Sequence, residues 1–501
     1  MLVVTANMLL VGARIENISN SNTRVETINK YDFSGMNDNL DWPTLQGNYQ
    51  RTGYSDGLAP NTNHTLWKYE VGDVVGSSPL VAEGKVVVGS INGYIYCLDE
   101  GTGELIWKYL TDYVYCTGTI ANGKVFIGSG GDFYCLDLDT GQLYWKFIAV
   151  PPGGYMRTKT YSSAVYFNGT VIVGAYDGCI YSLYEDNGDI KWSYLTTNDT
   201  EVRSTSFSNG KIYAAGLDSN VYCLNAETGK LIWINYNVTS EQIKSEITID
   251  NDKIYFGSDD HNLYCLDANS GEMVWNYETE GKIHSSPAIA YGNIYIGSMD
   301  WNLSCLDKEN GSLKWKYQAV WEVKCCPAVA DGKVYFGVSD WWETGHNNSP
   351  ATFPVYFYCV NAFTGELIWK YQTGDWTYSS PAIANAKVIV GSHDGYVYAF
   401  SCPIEILDIS GGLRRIGVST AIKNIGTEYL TNVYWEITIE APIIWGGKTS
   451  GTIVNITAGE EMPIKSKFLL GFGPCTIIVT ADCAIKTAKG FLLGPFIFGI
   501  K

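Results

Sequence analysis

The chain has 501 residues, enough for two domains or for one large repeat domain with an appendage. Its 53 glycines, 36 tyrosines and 16 tryptophans suit many short strands joined by tight turns. Thirty-four basic against 52 acidic residues leave a net charge of −18, which repels phosphate backbones and anionic lipid and argues against nucleic acid as a partner. No apolar run reaches the roughly 18 residues of a membrane-crossing helix, so no transmembrane span is expected.

At the N-terminus MLVVTANMLLVG is apolar, and the small residues before Arg14 suit a cleavage site, but no basic residue precedes them. Residues 1–40 are therefore expected to be a signal peptide with a truncated start and a flexible Asn/Ser/Thr-rich lead-in.

A repeat then takes over. SSPLVAEGKVVVGSINGYIYCLDEGTGELIWKY (77–109) returns as SSPAIAYGNIYIGSMDWNLSCLDKENGSLKWKY (285–317). Its anchors are Trp67, Trp107, Trp145, Trp192, Trp233, Trp275, Trp315 and Trp369, spaced by 40, 38, 47, 41, 42, 40 and 54 residues. Each unit divides into four short strands separated by Asx-Gly turns and a D-x-x-T-G turn. Four strands per unit make one propeller blade. After Trp369 only three strands remain (379–400), while LWKYEV (66–71) is a lone strand before the first full unit. Pairing the lone strand with the last three closes an eight-bladed propeller over 41–402 and removes its open edge.

The strings CLDEGTGELIW, CLDLDTGQLYW, CLNAETGKLIW and CVNAFTGELIW resemble the tryptophan-docking repeat of PQQ-binding-like β-propellers. That superfamily contains quinoprotein dehydrogenases and non-catalytic scaffolds such as outer-membrane assembly lipoproteins. The resemblance covers 66–400 and implies that each tryptophan packs on the glycine-centred turn of a neighbouring blade. It speaks to fold and hardly to function.

Cys97, Cys135, Cys223, Cys265, Cys305 and Cys359 share one slot of the third strand, filled elsewhere by Ser182 and Ala399. These read as free core thiols, too far apart around the ring to pair. Cys475 and Cys483, separated along one strand, are expected to be unpaired as well. Cys325-Cys326 replaces the Ser-Ser of other blades. In the related alcohol dehydrogenases a vicinal disulfide at a similar place packs on the quinone, so this pair would bind PQQ, with calcium, if the chain were a quinoprotein. The expectation is that two small residues replace two serines, with no cofactor, because no calcium-ligand set or catalytic Asp can be placed on numbered residues.

His64, His261, His284, His346 and His393 lack ligand spacing, and no catalytic or metal residue is named. Asp259, Asp260 and His261, like His393 and Asp394, read as turn builders. Two long insertions, 148–161 and 339–357, fall on one face of the ring, the second carrying Trp341, Trp342, His346 and Phe353. Arg157, Lys159, Arg203, Lys244, Lys282, His284 and Lys324 lie on that face with Tyr113, Tyr115, Trp321, Trp376 and Tyr378. Within this basic and aromatic mouth, Lys244, His284, Lys324, Trp321, Trp341, Trp342, Trp376 and Tyr378 are the candidate partner-binding residues, with Glu201, Glu246, Glu280 and Glu322 opposing the charge.

From Pro403 on the chain carries nine basic and eight acidic residues, so about −19 of the charge belongs to 1–402. Seven alternating strands are expected there, and AIKNIGTEYLTNVYWEITIE resembles the Ig-like or CARDB-like sandwich modules of microbial surface proteins. These features together point to a secreted or cell-surface, non-catalytic binding or scaffolding protein whose partner is a protein or surface glycan. The alternatives are a PQQ-dependent oxidoreductase and an envelope-assembly scaffold.

Overall fold

The computed structural model describes residues 41–148, 162–197, 200–340, 354–411, 417–426, 429–467, 469–481 and 484–500. All regular structure among these residues is β. Inner strands such as Lys253–Gly257 (KIYFG) and Asn262–Asp267 (NLYCLD) are apolar on both faces because blades sandwich them. Outer strands such as Leu105–Leu110 alternate, burying Trp107 between exposed neighbours. The first hairpin of a unit turns on paired left-handed residues, for example Asn122-Gly123 at φ 51 and 68, the geometry of a two-residue hairpin loop.

Seven antiparallel sheets come from consecutive chain, covering 80–110, 119–148, 165–195, 202–235, 248–278, 288–318 and 328–373. An eighth joins Ala382–Ala384, Lys387–Gly391 and Tyr396–Phe400 to Thr65–Glu70, with Trp67 opposite Ala399. The first strands touch in a closed circle, the last (Ala382–Ala384) meeting the first (Leu80–Ala82).

The tryptophans lock neighbouring blades together. The Trp67 indole donates to Glu100 O at 2.9 Å, Trp107 to Leu138 O at 2.9 Å and Trp192 to Ala226 O at 3.0 Å. Seven of the eight rings, all but Trp369, lie close to a turn glycine: a Cβ on Gly103 would sit 2.6 Å from Trp67, and one on Gly229 2.6 Å from Trp192. The cysteine slot has the same origin: Cys97 stands opposite Trp107 and Cys223 opposite Trp233, where only a small side chain clears the indole. All six slot cysteines are free and buried, and burial pushes the Cys97 thiol up to about 12.

The stretch 42–60, outside the repeat, runs along the first strands of successive blades as a strap. Trp42 bridges Val81, Ile120 N donates to Pro43 O, Phe207 N to Tyr49 O, Ile249 N to Gln50 O, Ile289 N to Thr52 O and Val329 N to Gly53 O. Tyr54–Ser55 then adds a parallel strand to Ala328–Ala330. The strap thus joins blade after blade at one level of the channel.

Among the described residues beyond Pro403 there are nine strands, where seven are expected: a three-stranded sheet (Ile404–Ile406, Ser419–Asn424, Glu461–Lys465) and a six-stranded sheet sharing one apolar cluster. The two additional ones, Ile443–Trp445 and Phe496–Phe498, are short and bordered by Gly and Pro, which hides their alternation. Cys475 is free, whereas Cys402, at the exit of the last blade, is disulfide-bonded. The expectation for Cys483 lies outside the described residues.

Candidate functional site

One residue per blade surrounds the axis, just ahead of the first strand in seven blades and within Val202–Ser208 in the fourth: Ser78, Thr117, Ser163, Thr205, Glu246, Ser286, Cys326 and Ser380. Backbone amides reach from blade to blade here: Ser380 N donates to Ser78 Oγ at 3.0 Å, Ser78 N to Thr117 Oγ1 at 3.0 Å, Cys326 N to Ser380 Oγ at 2.9 Å and Glu246 N to Ser286 Oγ at 2.8 Å. Glu246 bridges two more blades, accepting from Ser163 N and Thr205 N. It is therefore an interior group and not one of the rim carboxylates that the sequence pattern suggested. Its counter-ion is Arg51 of the strap, fully buried, which donates to Ser163 O at 2.9 Å and Leu45 O at 3.1 Å. Burial pushes the Glu246 carboxyl up and the Arg51 guanidinium down, and each charge offsets the other's shift.

Two positions earlier stand Tyr115, Arg203, Lys244, His284, Lys324 and Tyr378, which form the channel mouth. Asp259 gathers three of the basic residues there, meeting Lys244 Nζ at 2.9 Å, Lys282 Nζ at 3.4 Å and His284 Nε2 at 2.7 Å. Burial opposes its charge, but the bonds from His284 and Lys244 outweigh that and hold the carboxyl well below the usual range. Asp259 is thus an ion-pair centre as well as part of a turn, while Asp260 and Asp394 are turn builders, accepting from Asn262 N and Tyr396 N. Burial lowers His284 despite Asp259, helped by the charges of Lys244 and Lys324, so the imidazole is neutral at neutral pH. Lys324 is not at the open surface: its side chain is buried against Glu322. Arg203 pairs with Glu201 at 2.7 Å.

The aromatic half adjoins. Trp321 meets Trp376 edge-on at 4.8 Å and Trp301 at 6.4 Å, and Tyr378 lies over His393 at 6.2 Å. Tyr113 and Tyr115 are exposed. Trp301 was not a sequence candidate. It occupies a turn position with φ 71, which gives no sign from sequence that its ring reaches Trp321. Trp341, Trp342, His346, Phe353, Arg157 and Lys159 lie outside the described residues.

Cys325 and Cys326 are free thiols. Cys325 Sγ accepts from Gly337 N at 2.9 Å, the latch that Ser77 Oγ makes with Gly89 N and Ser245 Oγ with Gly257 N. Cys326 fills a ring position held by serine in four other blades. Among the described residues no three His, Cys, Asp or Glu side chains converge to hold a metal ion.

Similar folds are known. BamB from Moraxella catarrhalis is 16% identical, with a TM-score of 0.55 over 68% of this chain and 99% of that one. The quinohemoprotein alcohol dehydrogenase from Comamonas testosteroni is 15% identical, with a TM-score of 0.60 over 72% of this chain and 80% of that one. A europium-containing methanol dehydrogenase is 14% identical, with a TM-score of 0.59 over 73% and 98%. At such identities the likeness is one of fold. No curated protein sequence matches the chain. The family model of the outer membrane protein assembly factor BamB matches residues 56–210, 93–248, 217–340 and 354–404, more than half of the chain, and the chain belongs to that family of PQQ-like repeat propellers.

Proposed function

We propose that this protein is a non-catalytic envelope or cell-surface scaffold that holds a protein partner at the channel mouth. The observation that carries this reading is local charge on an acidic chain: Arg203, Lys244 and Lys282 face Glu201 and Asp259, beside the Trp321–Trp376 pair, in a protein of net charge −18. Such a mouth suits an acidic, aromatic-bearing polypeptide segment. Membership of the BamB family supports protein binding, and the disulfide at Cys402 suits an oxidising compartment. Among the described residues no helix is long and apolar enough to cross a membrane.

The test is affinity capture from an envelope extract with the wild type and with a Lys244→Gln/Lys282→Gln/Trp376→Ala variant, both checked for an unchanged melting profile. A partner held by the wild type and lost by the variant is the expected result. Equal capture overturns the assignment of the mouth. In parallel, PQQ with Ca²⁺ is titrated against tryptophan fluorescence and dye reduction. Saturable quenching with turnover would replace the scaffold reading by an oxidoreductase.

A further inference from the structure

The six-stranded sheet carries an apolar face that nothing among the described residues covers. The register places Trp445 opposite Leu470, Ile443 opposite Phe472, Phe472 opposite Leu493 and Pro474 opposite Phe491. Directly paired residues share a face, so these side chains form one patch at one end of the sheet. Their exposure is large: 72% for Trp445, 65% for Ile443 and 55% for Phe472. Phe472 and Phe491 meet edge-on at 5.5 Å, so the patch is contiguous. Residues of opposite parity, such as Cys475, Ile477 and Leu492, point into the core, so this outer face is surplus to folding.

Charge is distributed around the patch, not in it. The segments 441–447, 468–481 and 490–500 contain no Asp, Glu, Lys or Arg, and lysines flank all three: Lys448, Lys467 and Lys489. Lys448 pairs with Glu436 at 2.8 Å, whereas among the described residues Lys467 and Lys489 have no carboxylate partner. Glu440, across Thr476 from Lys489, is the one acidic residue in that row. An exposed Trp/Ile/Phe face edged by lysines is the chemistry of an interfacial membrane contact, with rings and aliphatic groups at headgroup depth and ammonium groups on anionic headgroups. The acidic propeller would be repelled by such a surface, which makes the near-neutral end of the molecule the side that can approach it.

We infer that this face of the C-terminal unit docks on an anionic lipid bilayer, lying in the interface without crossing it. The inference does not depend on the role proposed for the channel mouth.

The test is flotation of the full chain with vesicles of phosphatidylcholine alone and of phosphatidylcholine with phosphatidylglycerol. Binding to the anionic vesicles, weakened by salt, is expected. The variant Ile443→Ser/Trp445→Ser/Phe472→Ser should lose at least about tenfold in partitioning, and Lys467→Glu/Lys489→Glu should lose the preference for phosphatidylglycerol. All five positions are exposed, and an unchanged circular dichroism spectrum verifies folding. Absence of wild-type flotation, or equal flotation of the triple variant, overturns the inference. So does a wild-type dimer in sedimentation that the triple variant abolishes without any vesicle binding, which would make the patch a contact between copies of this chain.

Discussion

A methyl group at Gly103 is the smallest change that reaches the tryptophan lock. Gly103 has φ 73, and its added Cβ would sit 2.6 Å from Trp67, a ring that is itself held by Glu100 O. Gly84 offers the matched control, with φ 71 and no atom within 4 Å of the added Cβ. Gly84→Ala should cost only the backbone term, about 1–2 kcal/mol. Gly103→Ala should cost a further ~1–3 kcal/mol of overpacking. Urea unfolding of both measures the difference, and equal midpoints would show that the indole yields freely. The mouth titrates in a definite direction. His284 and His393 are both held below their ordinary 6.5, chiefly by burial. The unfolded chain therefore takes up these protons first, and their contribution to stability is complete above 6.5 and declines as the pH falls below it. Asp259, depressed below 3.8, acts in the same sense at lower pH: its contribution is present above 3.8 and is lost as the pH falls through its folded value. Melting temperature should thus fall on acidification below 6.5, with a shallower slope in His284→Asn/His393→Asn. Identical slopes would mean that neither imidazole is coupled to folding.

The strap behaves as an element of its own because its hydrogen bonds run to successive blades. Arg51 is its pivot: removing the guanidinium leaves Glu246 buried without its counter-charge. Arg51→Met should therefore destabilise by about 3–5 kcal/mol. Adding Glu246→Gln should recover much of that loss, because the amide can still accept from Thr205 N. A double variant no better than the single would show that the strap's packing, and not the opposed charges, carries the effect. This element marks where sequence reading stops. Strand units, tryptophan docking and the cysteine slot are legible because each is repeated and local: the same Trp, Gly and small residue recur at fixed offsets. Arg51 and Glu246 are separated by four blades and occur once, so no period reveals them, and Glu246 reads as one more mouth carboxylate. Lys324 misleads for the same reason, since its register position matches Lys244 while its surroundings are buried. The mouth as a cluster was legible from register; its organisation around Asp259 was not, because a turn position looks alike whichever way its carboxylate points.

At the scale of the whole molecule the ring differs from an open repeat array in having no frayed end blade. One blade takes its fourth strand from the far end of the repeat: Thr65–Glu70 pairs with Tyr396–Phe400 across more than 300 residues, so joining them carries the largest loop-closure entropy among the described strand pairs. Several contacts concentrate on this seam. Ser401 N donates to His64 O, Trp369 Nε1 reaches Pro60 O at the end of the strap, and Ile425 N of the C-terminal unit donates to Pro403 O. The disulfide at Cys402 lies one residue beyond Ser401 and fixes the chain where it leaves the last blade. It should therefore stabilise the seam more than the blades opposite. In Cys402→Ser the amides of Tyr396–Phe400 should exchange at least about tenfold faster with solvent deuterium, within the ~2–4 kcal/mol that such cross-links supply. The matching strand Val221–Asn225 on the far side should keep its rate. Uniform acceleration around the ring would mean that the propeller opens only as a whole, and unchanged exchange at the seam would show that the strap and the Trp67 lock hold it without the cross-link.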